Sequence, residues 1–197
     1  MPKGRISTRE RIVLAALRLF SEKGYLGATT KEISAESGVA EVTLFRHFPS
    51  KESLLREVLS TYTFLPALLE ILPSVEAMPY EKALSEIARR FIETLRLRKD
   101  LVKIMHSECH LYPEKIKGVQ NAFLTELLDI LAGFFKSRRK MGDLKNFDEF
   151  LAARLFLSMF YQYFITKEVL CLGLVSNYSD DSVIEGYVNI FSRGTKK

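Results

Sequence analysis

Between Thr29 and Lys51 the sequence reads TTKEISAESGVAEVTLFRHFPSK, two short helical patterns separated by one glycine, and few backbone arrangements satisfy that spacing. Thr29 precedes Glu32 by three residues, the interval at which each side chain satisfies the other's free backbone N–H, so a helix is predicted to begin at Thr30. Ile33 faces inward, and Ser34, Ala35 and Ser37 are small enough to let a second helix cross closely. Gly38 supplies the positive φ that ends the first helix, and Gly38-Val39-Ala40 forms the turn. A second helix over 41–47 sets Leu44 and Phe48 one turn apart on a single face. Glu41, Val42, Thr43, Arg46 and His47 are then left on the outside. Two helices joined by a short Gly-containing turn are the motif that lays its second helix in the DNA major groove. The same geometry occurs in all-α proteins that never touch DNA, so its surroundings must decide.

Upstream, Ser7 and Glu10 repeat the capping box, and Ile12, Ala15, Ala16, Leu19 and Phe20 recur at helical spacing. A supporting helix is predicted to run to Lys23 and to stop at Gly24. Downstream, Ser50 is placed to cap a fourth helix carrying Leu54, Leu55, Val58 and Leu59. The supporting helix, Lys23-Gly24-Tyr25, Thr29-Thr30, Ile33-Ser34, Gly38-Val39, Thr43-Leu44-Phe45-Arg46-His47-Phe48 and Lys51-Glu52-Ser53-Leu54-Leu55, in this order, resemble the TetR family of bacterial regulators over residues 7 to 60. The resemblance implies a homodimer whose N-terminal domains read a palindromic operator and whose C-terminal helices bind a small inducer. Its usual outcome is repression relieved by that inducer.

Carried over by position, the resemblance makes Thr30 and Lys31 phosphate or groove-edge contacts, at a helix start where the macrodipole favours an anion. Glu41, Val42, Thr43 and Arg46 become base-reading candidates. Arg46 suits guanine O6 and N7, Glu41 the cytosine amino group, and the Val42 or Thr43 methyls a thymine methyl. For Glu41 the alternative is a surface ion pair, with Arg46 as one partner. Phe45, His47 and Lys51 would lie along the DNA backbone. Two positions depart from the family: Phe45 stands where tyrosine is usual, and Ala40 replaces a polar cap, whose loss costs about 1 kcal/mol of helix stability.

The fold expected from these patterns is all-α. An N-terminal three-helix helix-turn-helix DNA-binding domain over 1–50, with a basic arm at 1–7, is joined to a C-terminal helical bundle over 51–197 for ligand binding and dimerisation. The chain of 197 residues carries a formal charge of +5, and its predicted pI is near 9.1. Lys3, Arg5, Arg9 and Arg11 face only Glu10 in the first eleven residues. A basic start of this kind suits a minor-groove arm or a solvated tail, and net charge supplies attraction to phosphate without specificity.

Beyond Thr63 the pattern changes to long amphipathic segments that Pro66, Pro73 and Pro79 are expected to break. Further helices are predicted over 80–98, 100–111, 114–141, 148–172 and 180–191, with Met141-Gly142-Asp143 and Leu172-Gly173 as stops. In 147–172, Leu151, Leu155, Phe156, Leu157, Met159, Phe160, Tyr161, Tyr163, Phe164 and Ile165 nearly encircle the helix. Such a helix has no broad side to give to water. The resemblance assigns 147–172 and 180–191 to a four-helix homodimer interface.

Candidates for an inducer pocket are the apolar Phe91, Met105, Phe123, Leu127, Phe134, Phe160 and Tyr163, with His106 and Cys109 as polar wall. Plain core accounts for each apolar one equally well. His106 and His110 stand four apart with Cys109 nearby and Glu108 pointing away, but two converging ligands fall short of a metal site. No metal or organic cofactor is therefore assigned.

Enzyme motifs such as a Gly-rich phosphate loop, a nucleophile elbow or HExxH are absent from the sequence, so a non-enzymatic regulator is expected. A DNA-binding protein without an inducer is the alternative, and a helical enzyme the remoter one. The polar, basic start carries no following apolar run, so no secretory leader is expected. The longest uncharged apolar run, 155–166, is too short to span a bilayer, and Cys109 and Cys171 form no paired framework. A cytoplasmic chain with no membrane partner is the expectation.

Overall fold

The computed structural model describes residues 6–175 and 177–197. Most of the arm expected at 1–7, including Lys3 and Arg5, lies outside the described residues. The regular elements described are helical, and an isolated antiparallel bridge joins Leu144 to Lys196. In order they are α1 (Thr8–Gly27), α2 (Thr30–Ser37), α3 (Glu41–His47), α4 (Lys51–Tyr62), α5 (Phe64–Glu76), α6 (Tyr80–Leu97), α7 (Lys99–Glu108), α8 (Glu114–Lys140), α9 (Glu149–Phe164) and α10 (Asp180–Thr195).

The chain forms two compact units. One takes in the chain up to Tyr62 together with Asp100–Phe123; the other takes in Thr63–Lys99 and Leu124–Lys197. This partition differs from a division after residue 50, because α4 packs on α1 and because Leu101, Tyr112, Ile116 and Val119 join the core built by Ile12, Phe20, Ile33, Leu44, Leu54 and Val58. One long and two short helices alone offer little apolar area, and the borrowed segment enlarges the core that stabilises them.

Local chemistry accounts for the first unit's geometry. Both capping boxes are formed, Ser7 with Glu10 and Thr29 with Glu32. Gly24, at φ 76°, ends the regular part of α1 after Lys23. Gly38, at φ 67°, takes the left-handed conformation, and its N–H reaches back to Ser34 and Ala35. Ser50 accepts from the Ser53 N–H at 3.2 Å and starts α4. Arg9 and Arg11 belong to α1 and not to an arm, and Arg9 pairs with Glu57 while lying over the Phe48 ring.

In the second unit α5 packs on α6, and α6 on α9 and α10. Pro66 and Pro73 do not break the chain as expected. Pro66 falls in the first turn of α5, where no N–H is needed, Pro73 in its last turns, and Pro79 is the residue before α6. The buried Arg138 donates to the carbonyls of Val75 and Met78, replacing partners that the end of α5 lacks. Phe135 meets Phe134, Phe156 and Phe191 at 5.6, 6.4 and 5.7 Å between ring centres, the centre of this core.

The segment after α9 continues as a π-turn over Ile165–Val169, and Cys171, not Gly173, takes the positive φ that redirects the chain. The segment Lys51–Glu76 is long and apolar enough by composition to cross a membrane, although it contains no uncharged run of that length. It is interrupted at Thr63, and Leu54, Leu55, Phe64 and Leu68 are buried as core residues.

Candidate nucleic-acid interface

The outer face of α3 presents the side chains that the spacing left over. Leu44 is fully buried and Phe48 nearly so, which fixes the rotation of the helix. Val42 is consequently 76% exposed, and Phe45 and Arg46 are exposed beside it. Glu41, Thr43 and His47 are half-buried. An apolar side chain that open to water is available to a partner, and a valine on the outside of a seven-residue helix has no structural task there.

The pairing of charges separates structural from available cations. Lys23 donates to Glu32 at 2.6 Å, Arg18 pairs with Glu22 and Glu36, and Arg9 pairs with Glu57. Glu32 is held at about 2 by its hydrogen bonds from Lys23 and Thr29. Among the described residues no ion pair engages Arg46 or Lys31. Glu41 does not pair with Arg46, the alternative open at the sequence level. It accepts the Thr30 hydroxyl at 2.5 Å, tying the first residue of α2 to the first residue of α3. Ala40 makes no side-chain cap, and the α3 start is tied to α2 by this bond.

Lys51 is not a plain surface lysine. Its Nζ lies 4.3 Å from the centre of the Tyr25 ring, a cation–π contact. Burial lowers its pKa, while Glu52, Glu108 and Glu32 act against that. Burial, and then Glu52, push the Tyr25 hydroxyl up to about 12, so it stays neutral.

Glu108 points away from the two histidines, and its destination is not visible in the sequence. It points back into the first unit, where it accepts from the Tyr25 backbone N–H at 3.2 Å and from the Tyr112 hydroxyl at 3.1 Å. The pattern gave no sign of this, since the contact spans 83 positions. The helix ends at Glu108 and a 3-10 turn covers Cys109–Leu111, so His106 and His110 do not share one α-helical face as the spacing suggested. His106, Cys109 and His110 are exposed.

The remaining pocket candidates do not gather in one unit. Met105 and Phe123 are partly buried against the first unit's core. Phe91, Leu127, Phe134, Phe160 and Tyr163 are buried in the second, Phe91 at 4.9 Å from Phe64 and Phe160 at 5.2 Å from Phe156. The Tyr163 hydroxyl donates to Asp180 at 2.7 Å and accepts from Lys167 at 2.7 Å.

A helix-turn-helix with an open second helix is the arrangement by which many DNA-binding regulators enter the major groove. Comparison with known proteins names the group. Residues 12–58 match the family of bacterial regulatory proteins called tetR, and residues 82–194 match the C-terminal domain of AefR-like transcriptional repressors. The HTH-type transcriptional regulator YvkB of Bacillus subtilis, itself uncharacterized, is 31% identical over 95% of this chain and 96% of its own. The chain belongs to the TetR family. Its fold is similar to that of FadR from Bacillus subtilis in complex with stearoyl-CoA, with TM-score 0.74 and 18% identity over 93% of this chain and 97% of that one. It is similar also to AibR in complex with isovaleryl coenzyme A and operator DNA, with TM-score 0.61 and 23% identity over the same shares.

Proposed function

We propose that this chain is a homodimeric repressor that binds a palindromic operator and is released from it by a small, largely apolar ligand. The observation that carries the reading is the outer face of α3, where Val42 stands open beside an Arg46 that no acid claims among the described residues. In this reading Arg46 forks onto a guanine, Val42 and Thr43 meet a thymine methyl, and the second oxygen of Glu41 accepts from a cytosine amino group. Thr30, Lys31, Phe45, His47 and Lys51 lie along the phosphates. The functional division falls after residue 50, with 1–50 reading DNA and 51–197 serving ligand and partner.

Homodimerisation through 147–172 and 180–191 is supported by Leu151 and Leu155 on α9 and Ile190 on α10, which are 60, 56 and 71% exposed. Large apolar side chains left open on two neighbouring helices suit a self-complementary interface. A second copy sets two α3 helices about 34 to 36 Å apart, the spacing of successive major grooves on one DNA face. For the ligand, Phe91, Leu127, Phe134, Phe160 and Tyr163 are the lining candidates within the second unit. FadR and AibR carry acyl-coenzyme A molecules, whose acyl chain is the apolar part that such a lining suits, so acyl thioesters are the first class to test. Action on bacterial DNA places the chain in the cytoplasm, where its two free cysteines stay reduced.

The test is selection of duplexes from a randomised library by the wild-type chain, followed by titration of acyl-coenzyme A thioesters into the recovered complex. A recovered inverted repeat, bound by two chains and released by one of the thioesters, is the expected result. Binding with no sequence preference overturns the repressor reading, and an operator complex that no thioester disturbs overturns the ligand class.

A further inference from the structure

The first compact unit contains a carboxylate from a helix that no DNA-binding motif includes. Glu108 closes α7, and the following 3-10 turn brings Tyr112, 2% exposed, beneath it. The Tyr112 hydroxyl and the Tyr25 N–H both donate to Glu108 Oε2. That N–H is available because Gly24, at φ 76° and ψ 169°, leaves the helical path. The positive φ favours glycine at 24, and a Cβ there would displace the Glu108 carboxylate from its hydrogen bonds.

The consequence runs on to the surface. The Tyr25 ring packs edge-on to Tyr112 at 6.1 Å and against Phe20 at 5.5 Å, and its face carries the Lys51 ammonium. Lys51 is the first residue of α4. Lysine loses rotamer freedom when fixed, so a ring that already holds it lowers the ordering cost at the moment of binding.

We propose that Glu108 is a positioning residue for DNA binding: by holding the Gly24–Tyr25 backbone it sets the ring that holds the Lys51 ammonium toward a phosphate. The inference rests on the DNA-binding reading above. It makes the segment Asp100–Phe123 part of the reading unit and distinguishes Glu108 from a carboxylate that merely draws Lys51 away from DNA.

The test uses the full chain with a duplex recovered by selection and with a mixed-sequence duplex, each titrated over a range of salt. Glu108→Ala is expected to weaken binding to both about tenfold, the worth of one charge-assisted contact, and to reduce the salt slope by about 1. Glu108→Gln keeps an oxygen for the Tyr25 N–H and is expected to bind within about twofold of wild type. Lys51→Ala combined with Glu108→Ala is expected to bind as Lys51→Ala does alone, because both act on one contact. Tyr112→Phe removes one of the two ties and serves if Glu108→Ala does not fold, with a loss of about threefold in the same direction. Wild-type or tighter binding by folded Glu108→Ala, or by Tyr112→Phe where that variant stands in, overturns the proposal, as do losses that add to those of Lys51→Ala. A wild-type chain that binds neither duplex removes the DNA-binding reading itself.

Discussion

The Thr30 hydroxyl donates to the Glu41 carboxylate at 2.5 Å, joining the starts of the two helices of the helix-turn-helix. Ala40 leaves the start of α3 without a side-chain cap, and this bond instead ties that start to α2. Glu41→Ala is therefore expected to cost about 1 kcal/mol of folding stability in a urea titration, the typical net worth of one hydrogen bond. Thr30→Val is expected to cost a similar amount, and the double variant no more than the larger of the two. Additive losses would mean the two residues act separately.

Arg46 and Lys51 are expected to differ in kind. Arg46→Ala should reduce discrimination at one base position by about 1 to 3 kcal/mol, read by competition among single-base operator variants. Lys51→Ala should weaken all sequences alike and flatten the salt dependence by about one unit of slope. Loss of nonspecific binding alone in both variants would remove the distinction between base reading and phosphate contact.

Gly24→Ala is expected to destabilise the chain by more than about 1 kcal/mol, because the positive φ opposes a side chain there and a Cβ would displace the Glu108 carboxylate from its hydrogen bonds. In a Glu108→Ala background, where those bonds are already gone, the same substitution should cost only the backbone part. A thermal melt of the two variants and their combination measures the split, and an unchanged Gly24→Ala melting temperature would contradict it.

Acid should weaken the second unit through Asp180. Burial alone would raise this carboxyl, but hydrogen bonds from Tyr163, Arg96 and Lys167 outweigh it and lower the group from its ordinary 3.8 to about 2. Because the folded value lies below the unfolded one, the unfolded chain binds the proton first, and the contribution is complete above about pH 4. It is lost as the pH falls from about 4 to about 2. Asp180→Asn is accordingly expected to lower the melting temperature at pH 6 and to converge with wild type near pH 2; a pH-independent gap would assign the effect to packing.

Ile190→Glu on α10 or Leu155→Glu on α9 places a charge on an open apolar face. Either is expected to give a folded monomer by light scattering, with operator binding reduced because one reading head lacks its mate. Dimers that persist in both variants would move the interface elsewhere.

The helix-turn-helix was legible in the chain because its determinants are local. Thr29 with Glu32, Gly38 with its left-handed backbone, and Leu44 with Phe48 act within a few positions of one another, and short-range hydrogen bonding and side-chain periodicity fix them before any long-range contact forms. The bounds of α2 and α3 follow from those residues alone. Pro66 and Pro73 misled because a proline's effect depends on which turn of a helix it occupies, and that turn is set by the packing of α5 on α6.

What tertiary structure decided is where remote groups arrive. No periodicity in 100–111 indicates that Glu108 reaches the backbone of Tyr25, or that Lys51 rests on the Tyr25 ring. The sequence determined the reading helix and the family; the folded chain decided that Glu41 bonds Thr30 and that a segment from the middle of the chain completes the core beneath the DNA-reading helices. The reason is physical: caps and turns are encoded over three or four residues, whereas a carboxylate's partner 83 positions away is chosen by which apolar faces bury one another.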